Sequence, residues 1–128
     1  MKNSLWMLPA IAIGLLLMPG SADGHHGYAA FDSKAAITIK GTVTDFHFTN
    51  PHCVVEFEVK DDKGQVRNWR GELTSASHLT PRGWTANSLQ PGDELTISGY
   101  PAKNGVPSMW ITKILLSNGQ ELKIAGGN

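Results

Sequence analysis

The stretch that most restricts the fold is "HCVVEFEV", residues 52–59. Its apolar and polar side chains alternate with period two, which is the signature of a strand with one face buried and the other wet. Cys53, Val55, Phe57 and Val59 fall inward by this alternation, and His52, Val54, Glu56 and Glu58 fall outward. A single strand cannot cover its own apolar face, so the rest of the chain must supply partners for it.

It does so on both sides. "ITIKGTVTDFHF" (37–48) places Ile37, Ile39 and Val43 on one face and then shifts phase to Phe46 and Phe48, as a long bent strand with a bulge after Gly41 would. "DDKG" (61–64) is turn chemistry, and "VRNWRGEL" (66–73) follows as a third strand. "ELTISGY" (94–100) after "PGD", and "SMWITKILL" (108–116) between two Asn-Gly pairs, read as the fourth and fifth; "QELKI" (120–124) adds a short sixth. Between the third and fourth lies "TSASHLTPRGWTANSLQ" (74–90), broken by Pro81 and Gly83, which predicts one or two helical turns. The expected class is therefore mostly all-β. The order of elements matches a small five- to six-stranded Greek-key barrel of the oligonucleotide/oligosaccharide-binding (OB) kind, with a short helical segment between strands 3 and 4. Other small barrels or an open sandwich would share much of this order.

The front of the chain follows different rules. Lys2, the 14-residue apolar run Leu5–Met18 and the small residues Gly20-Ser21-Ala22 form an export signal over residues 1–22, with cleavage after Gly24 as the alternative. The run is shorter than the roughly 18 residues that a spanning helix needs, so no retained membrane anchor is expected. The mature protein is then periplasmic or secreted, with a flexible arm at 23–36 and one barrel domain at 37–125. Removing Lys2 leaves ten basic residues against eleven acidic ones. Without a basic run or patch, nucleic acid is excluded as a partner class. Cys53 is the only cysteine, so no intrachain disulfide can staple the domain, and stability must come from its core.

Several stretches together resemble one family: "HHGYAAFD" at the mature start, "GTVTDFHFTNPH" (41–52), the Trp and Glu of "NWRGEL" (68–73), "RGWTANSLQPGDELTISGYPA" (82–102) and "LSNGQEL" (116–122). In order and spacing they resemble the exported bacterial proteins of domain-of-unknown-function family 6152. The resemblance covers nearly all of the mature chain and implies an exported small β-barrel; it implies no activity. Members of that family tend to begin the mature chain at the histidine pair directly after an alanine. Here Asp23 and Gly24 intervene, so the mature first residue is open.

That residue decides the chemistry of the adjacent histidines. A chain cut after Ala22 begins Asp23-Gly24-His25, and its free amine, two deprotonated backbone amides and the His25 imidazole form a square-planar nitrogen set suited to Cu(II) or Ni(II). A chain cut after Gly24 begins at His25, whose amine and ring nitrogen chelate copper as two arms of a brace. His26 is too close to supply the third arm easily, so His47, His52 or His78 would have to. A second candidate is the pair His47 and His52, which flank "FTNP". A four-residue loop would set them directly opposite each other, their side-chain roots roughly 5 Å apart on the outer face. Glu72, outward by the same alternation, would lie across the neighbouring strand as a third ligand or a hydrogen-bond partner for His52. The plain alternatives are a polar leader with idle histidines and a solvated strand face.

Cys53 reads as a small core residue and Trp69 as a core partner of Phe57. Trp84 and Trp110 either cover the end of the core or stack against a sugar or base. No serine nucleophile with an oriented base, no phosphate loop and no CxxC pair appears, so the sequence offers no catalytic arrangement. Three functions fit these residues: an exported copper-binding module; a barrel that binds a non-metal small ligand or an exported protein partner; and, more distantly, a copper-dependent oxidase.

Overall fold

A computed structural model describes residues 28–124. The expected signal at 1–22, its alternative end at 24, the first residues of the arm and residue 125 lie outside the described residues. Six strands form one sheet: β1 (Ile37–His47), β2 (Cys53–Lys60), β3 (Val66–Leu73), β4 (Glu94–Pro101), β5 (Ser108–Leu116) and β6 (Glu121–Leu122). Their order is β3-β2-β1-β4-β5-β6, and a further β3–β5 pairing closes the first five into a barrel. That closing pair is parallel and brief, running from Arg70↔Ser108 to Glu72↔Trp110. A single short helix, α1 (Ala76–Leu79), continues into a 3-10 turn at Thr80–Arg82 between β3 and β4, as the Pro- and Gly-broken segment requires. The fold is the OB-like closed barrel that the strand order predicts. Among the described residues no helix is long and apolar enough to cross a membrane.

β1 is long because it serves both halves of the barrel. Residues 37–42 pair with β4, and Thr42 to His47 pair with β2. The phase shift read from its sequence is a bulge: Val43 faces Phe57 and Asp45 faces Glu56, leaving Thr44 unpaired. A second bulge lies in β5, where Ser98 pairs with Lys113 and Gly99 with Ile111, so Thr112 is the extra residue. It explains why the buried residues of β5 are Met109, Ile111 and then Ile114 rather than a strict alternation.

The core follows from these phases. Val43, Cys53, Val55, Phe57, Leu95 and Ile97 are buried together, and Trp69 stacks on Phe57 with ring centroids 6.3 Å apart. Leu79, Trp84 and Leu89 come from the connection between β3 and β4 and enter the same cluster, so they close an end of the barrel that strands alone would leave open. Each such fully buried side chain contributes about 1.5–3 kcal/mol of burial. Trp84 is the end cover, and its indole N–H donates to the Lys123 carbonyl at 2.9 Å.

Candidate functional site

The loop from Phe48 to His52 is held against α1. The first helical amides have no partner within the helix and must find one elsewhere. Ala76 N–H donates to the Thr49 carbonyl (3.0 Å), and Ser77 N–H and hydroxyl both donate to Asn50 Oδ1 (3.0 and 3.1 Å). The Thr49 hydroxyl donates to the His52 carbonyl at 2.9 Å. The loop thus fixes where β2 begins and where His52 sits.

That register corrects the histidine pair. The cross-strand partner of His47 is Val54, not His52. The loop therefore takes up the residues that would have brought the two rings face to face, and each ring finds its own neighbour. His47 Nε2 lies 3.2 Å from Asp45 Oδ2, two residues away along β1. His52 stands edge-on to Trp110, with ring centroids 5.3 Å apart. Glu72 faces Val54 on one side and Trp110 on the other, and Arg70 Nε lies 3.7 Å from its carboxylate. Arg70 also holds Glu56 at 2.8 Å. Among the described residues no three His, Cys, Asp or Glu side chains converge in a way that could hold a metal ion. His47, His52 and Glu72 accordingly need other donors to make a site.

The pairings place a row across the outer face: His47, Val54, Glu72, Trp110 and Tyr100 on successive strands β1, β2, β3, β5 and β4. Val54, outward by alternation, is nevertheless buried in the middle of this row. At its far end the arm is laid down. Tyr28 packs edge-on against both Tyr100 (6.0 Å) and Trp110 (5.8 Å), and Phe31 lies 6.2 Å from Trp110. Phe31 is only 7% exposed and bridges to Ala102, while Asp32 N–H donates to the Pro101 carbonyl at 2.8 Å. Within the described part of the expected flexible arm, Phe31 is seated on the barrel and Tyr28 leans on it half-exposed, while residues 33–36 are exposed. Asp23, Gly24, His25 and His26 lie outside the described residues.

Trp110 is the hub that sequence reading left undecided. Its neighbours Met109 and Ile111 are buried, so alternation alone puts it outward, where Tyr28, Phe31 and His52 surround it. Cys53 is the core residue it was expected to be: it is fully buried, burial pushes its thiol above the ordinary value of 9.0, and its Sγ points at the Thr49 carbonyl. His78, on α1, is exposed, with Nδ1 3.3 Å from the Ser75 hydroxyl.

Closed five-stranded topology with a helical turn between the third and fourth strands defines a small OB-like β-barrel domain. Its outer face bears one aromatic-centred row. The chain belongs to a family of unknown function, DUF6152, whose sequence model matches residues 14–109. No curated protein matches the chain.

Proposed function

We propose that this chain is an exported β-barrel module that binds Cu(II) at its processed N-terminus, with His52 as the barrel's ligand. The observation that carries this reading is the contact relay Tyr28–Trp110–His52. Chain connectivity puts His26 two residues and His25 three residues ahead of Tyr28, spans of at most about 7 and 10 Å. Of the three imidazoles that could complete a brace, His52 is the one sharing an aromatic neighbour with Tyr28, the first described residue of the arm. His47 is turned to Asp45, and His78 stands on α1. A chain starting at His25 supplies its amine and ring nitrogen, and His52 adds the third nitrogen. A chain starting at Asp23 would supply four nitrogens of its own and would not need His52. The basic start, the apolar run and the small residues after it support export to the periplasm or beyond.

The test compares the authentic mature protein, its first residue established by mass on protein exported by its own host, with a form carrying an extra Met ahead of that residue. The extension blocks the amine and displaces His25, but leaves the barrel untouched. The expected result is at least tenfold tighter Cu(II) binding by the authentic form, about 1.4 kcal/mol. Affinity should fall below roughly pH 6, where imidazole ligands take up protons. Copper at His52 should also quench Trp110 fluorescence, and His52→Ala should weaken the quenching more than His47→Ala does. Equal affinity of the two forms rejects the terminal site. Loss of that residual binding in a His47→Ala, His52→Ala double variant would assign the metal to the barrel alone.

A further inference from the structure

The closing pair β3–β5 ends at Glu72↔Trp110, and beyond it the two strands part. β3 turns off through Thr74 into α1, whereas β5 runs on through Ile111 and Thr112. The wedge between them is a groove of about 330 Å³, roofed by His78 and Arg82 and floored by Trp110, Ile111 and Ile124. We propose that this groove is a binding site for a small organic carboxylate, an anionic head on a flat or compact apolar body. It shares Trp110 with the copper reading but does not depend on it.

Three observations point to that chemistry. Among the described residues no acidic side chain lines the groove, although it carries an arginine, a histidine and the two threonines 74 and 112. Arg82 is also held in place. One of its terminal nitrogens donates to the His78 carbonyl one turn back, which satisfies a carbonyl near the end of α1. A guanidinium has five N–H donors in a rigid fork. Among the described residues Arg82 forms no ion pair, so most of that fork is available to a carboxylate. The third is the floor: Trp110 and Ile124, both partly exposed, line the groove, so a ligand body meets apolar surface while its head meets Arg82. The volume lies at the lower end of the range of small-molecule sites, which suits a ligand the size of a single ring.

The probes are benzoate, its neutral counterpart benzyl alcohol, and acetate, which has the head without the body. Binding is read by NMR from the shifts of residues 74, 78, 82 and 110–112. Benzoate is expected to bind at least tenfold tighter than either benzyl alcohol or acetate. Arg82→Gln should bring benzoate down to the level of benzyl alcohol while leaving benzyl alcohol unchanged. On the unaltered protein, raising salt from about 0.05 to about 0.5 M should weaken benzoate and spare benzyl alcohol, because salt screens the exposed charge; this arm stands even if the variant does not fold. Equal affinity for benzoate and benzyl alcohol, unchanged benzoate binding in Arg82→Gln, salt-independent benzoate binding, or shifts confined to other residues would each overturn the proposal.

Discussion

Gly99 lies on β4 at the β5 bulge, where there is no room for a side chain. A Cβ built on it would lie 2.0 Å from the Trp110 carbonyl oxygen, and 2.9 Å from both the Trp110 carbonyl carbon and Met109 Cε. Gly71 presents a different obstacle, a side chain rather than backbone: its Cβ would meet Ile111 Cδ1 at 2.4 Å and Cγ1 at 2.9 Å. An isoleucine terminus can rotate away at the cost of a poorer rotamer, roughly 0.5–1.5 kcal/mol. A carbonyl oxygen in a strand cannot move without its ladder. Gly99→Ala should therefore cost at least the upper end of the overpacking range, about 3 kcal/mol, and Gly71→Ala about half of that. For a domain of this size about 1 kcal/mol shifts Tm by roughly 4–8 °C. Gly99→Ala is thus expected to melt at least about 12 °C lower, with Gly71→Ala in between. Urea unfolding followed by tryptophan fluorescence gives both free-energy costs, and thermal unfolding gives the melting shifts. Because the displaced carbonyl belongs to Trp110, the native emission of Gly99→Ala should shift as well, while that of Gly71→Ala stays near wild type. A Gly99→Ala protein within about 0.5 kcal/mol of wild type, the usual scatter of neutral surface changes, would refute the claim that backbone contact limits this site.

Val55 is fully buried, so Val55→Asp leaves an unpaired charge in the core and should abolish the cooperative urea transition. Asn50→Ala removes the acceptor of both Ser77 hydrogen bonds and should cost about 1–3 kcal/mol in the same assay, at about 0.5–1.5 kcal/mol per bond. Burial raises the thiol of Cys53, so the unfolded chain ionises first. The stability this thiol contributes is whole below pH 9.0 and is lost as pH rises through the folded value. The fall in urea midpoint from about pH 8 to about pH 10 should be smaller in Cys53→Ala than in wild type, and an equal fall in both would show that other groups cause it.

The strands could be read because each carries its own period, and the period survives without knowledge of the partner. Val55, Phe57, Leu95 and Ile97 are buried as alternation places them, and the Phe46 phase shift is the bulge at Thr44. The face-to-face histidine pair failed for a reason that local spacing cannot contain. The loop is shaped by Asn50 and Thr49 bonding to α1, more than twenty residues downstream, and those bonds move the register by two. The relay around Trp110 was hidden for the same reason. Tyr28, His52, Tyr100 and Trp110 are scattered over 82 positions, and only the closed barrel brings them together.

The brief β3–β5 seam also determines how such a chain assembles. β1, β2 and β3 are joined by short loops and can pair as a meander with little loop entropy to overcome. The seam joins Arg70 to Ser108, 38 residues apart, and β1 joins β4 across Thr38 and Ser98, 60 apart. Contacts of that span form late and slow the search, which puts this domain among the slower small folders. Once formed, a three-residue parallel ladder is the weakest stretch of the wall. Local opening therefore begins where β3 meets β5, and the amides of Arg70 and Glu72, which face that seam, exchange with solvent ahead of those between β1 and β2. The groove beside Arg82 lies along that same line, so whatever occupies it bears directly on how often the barrel unzips.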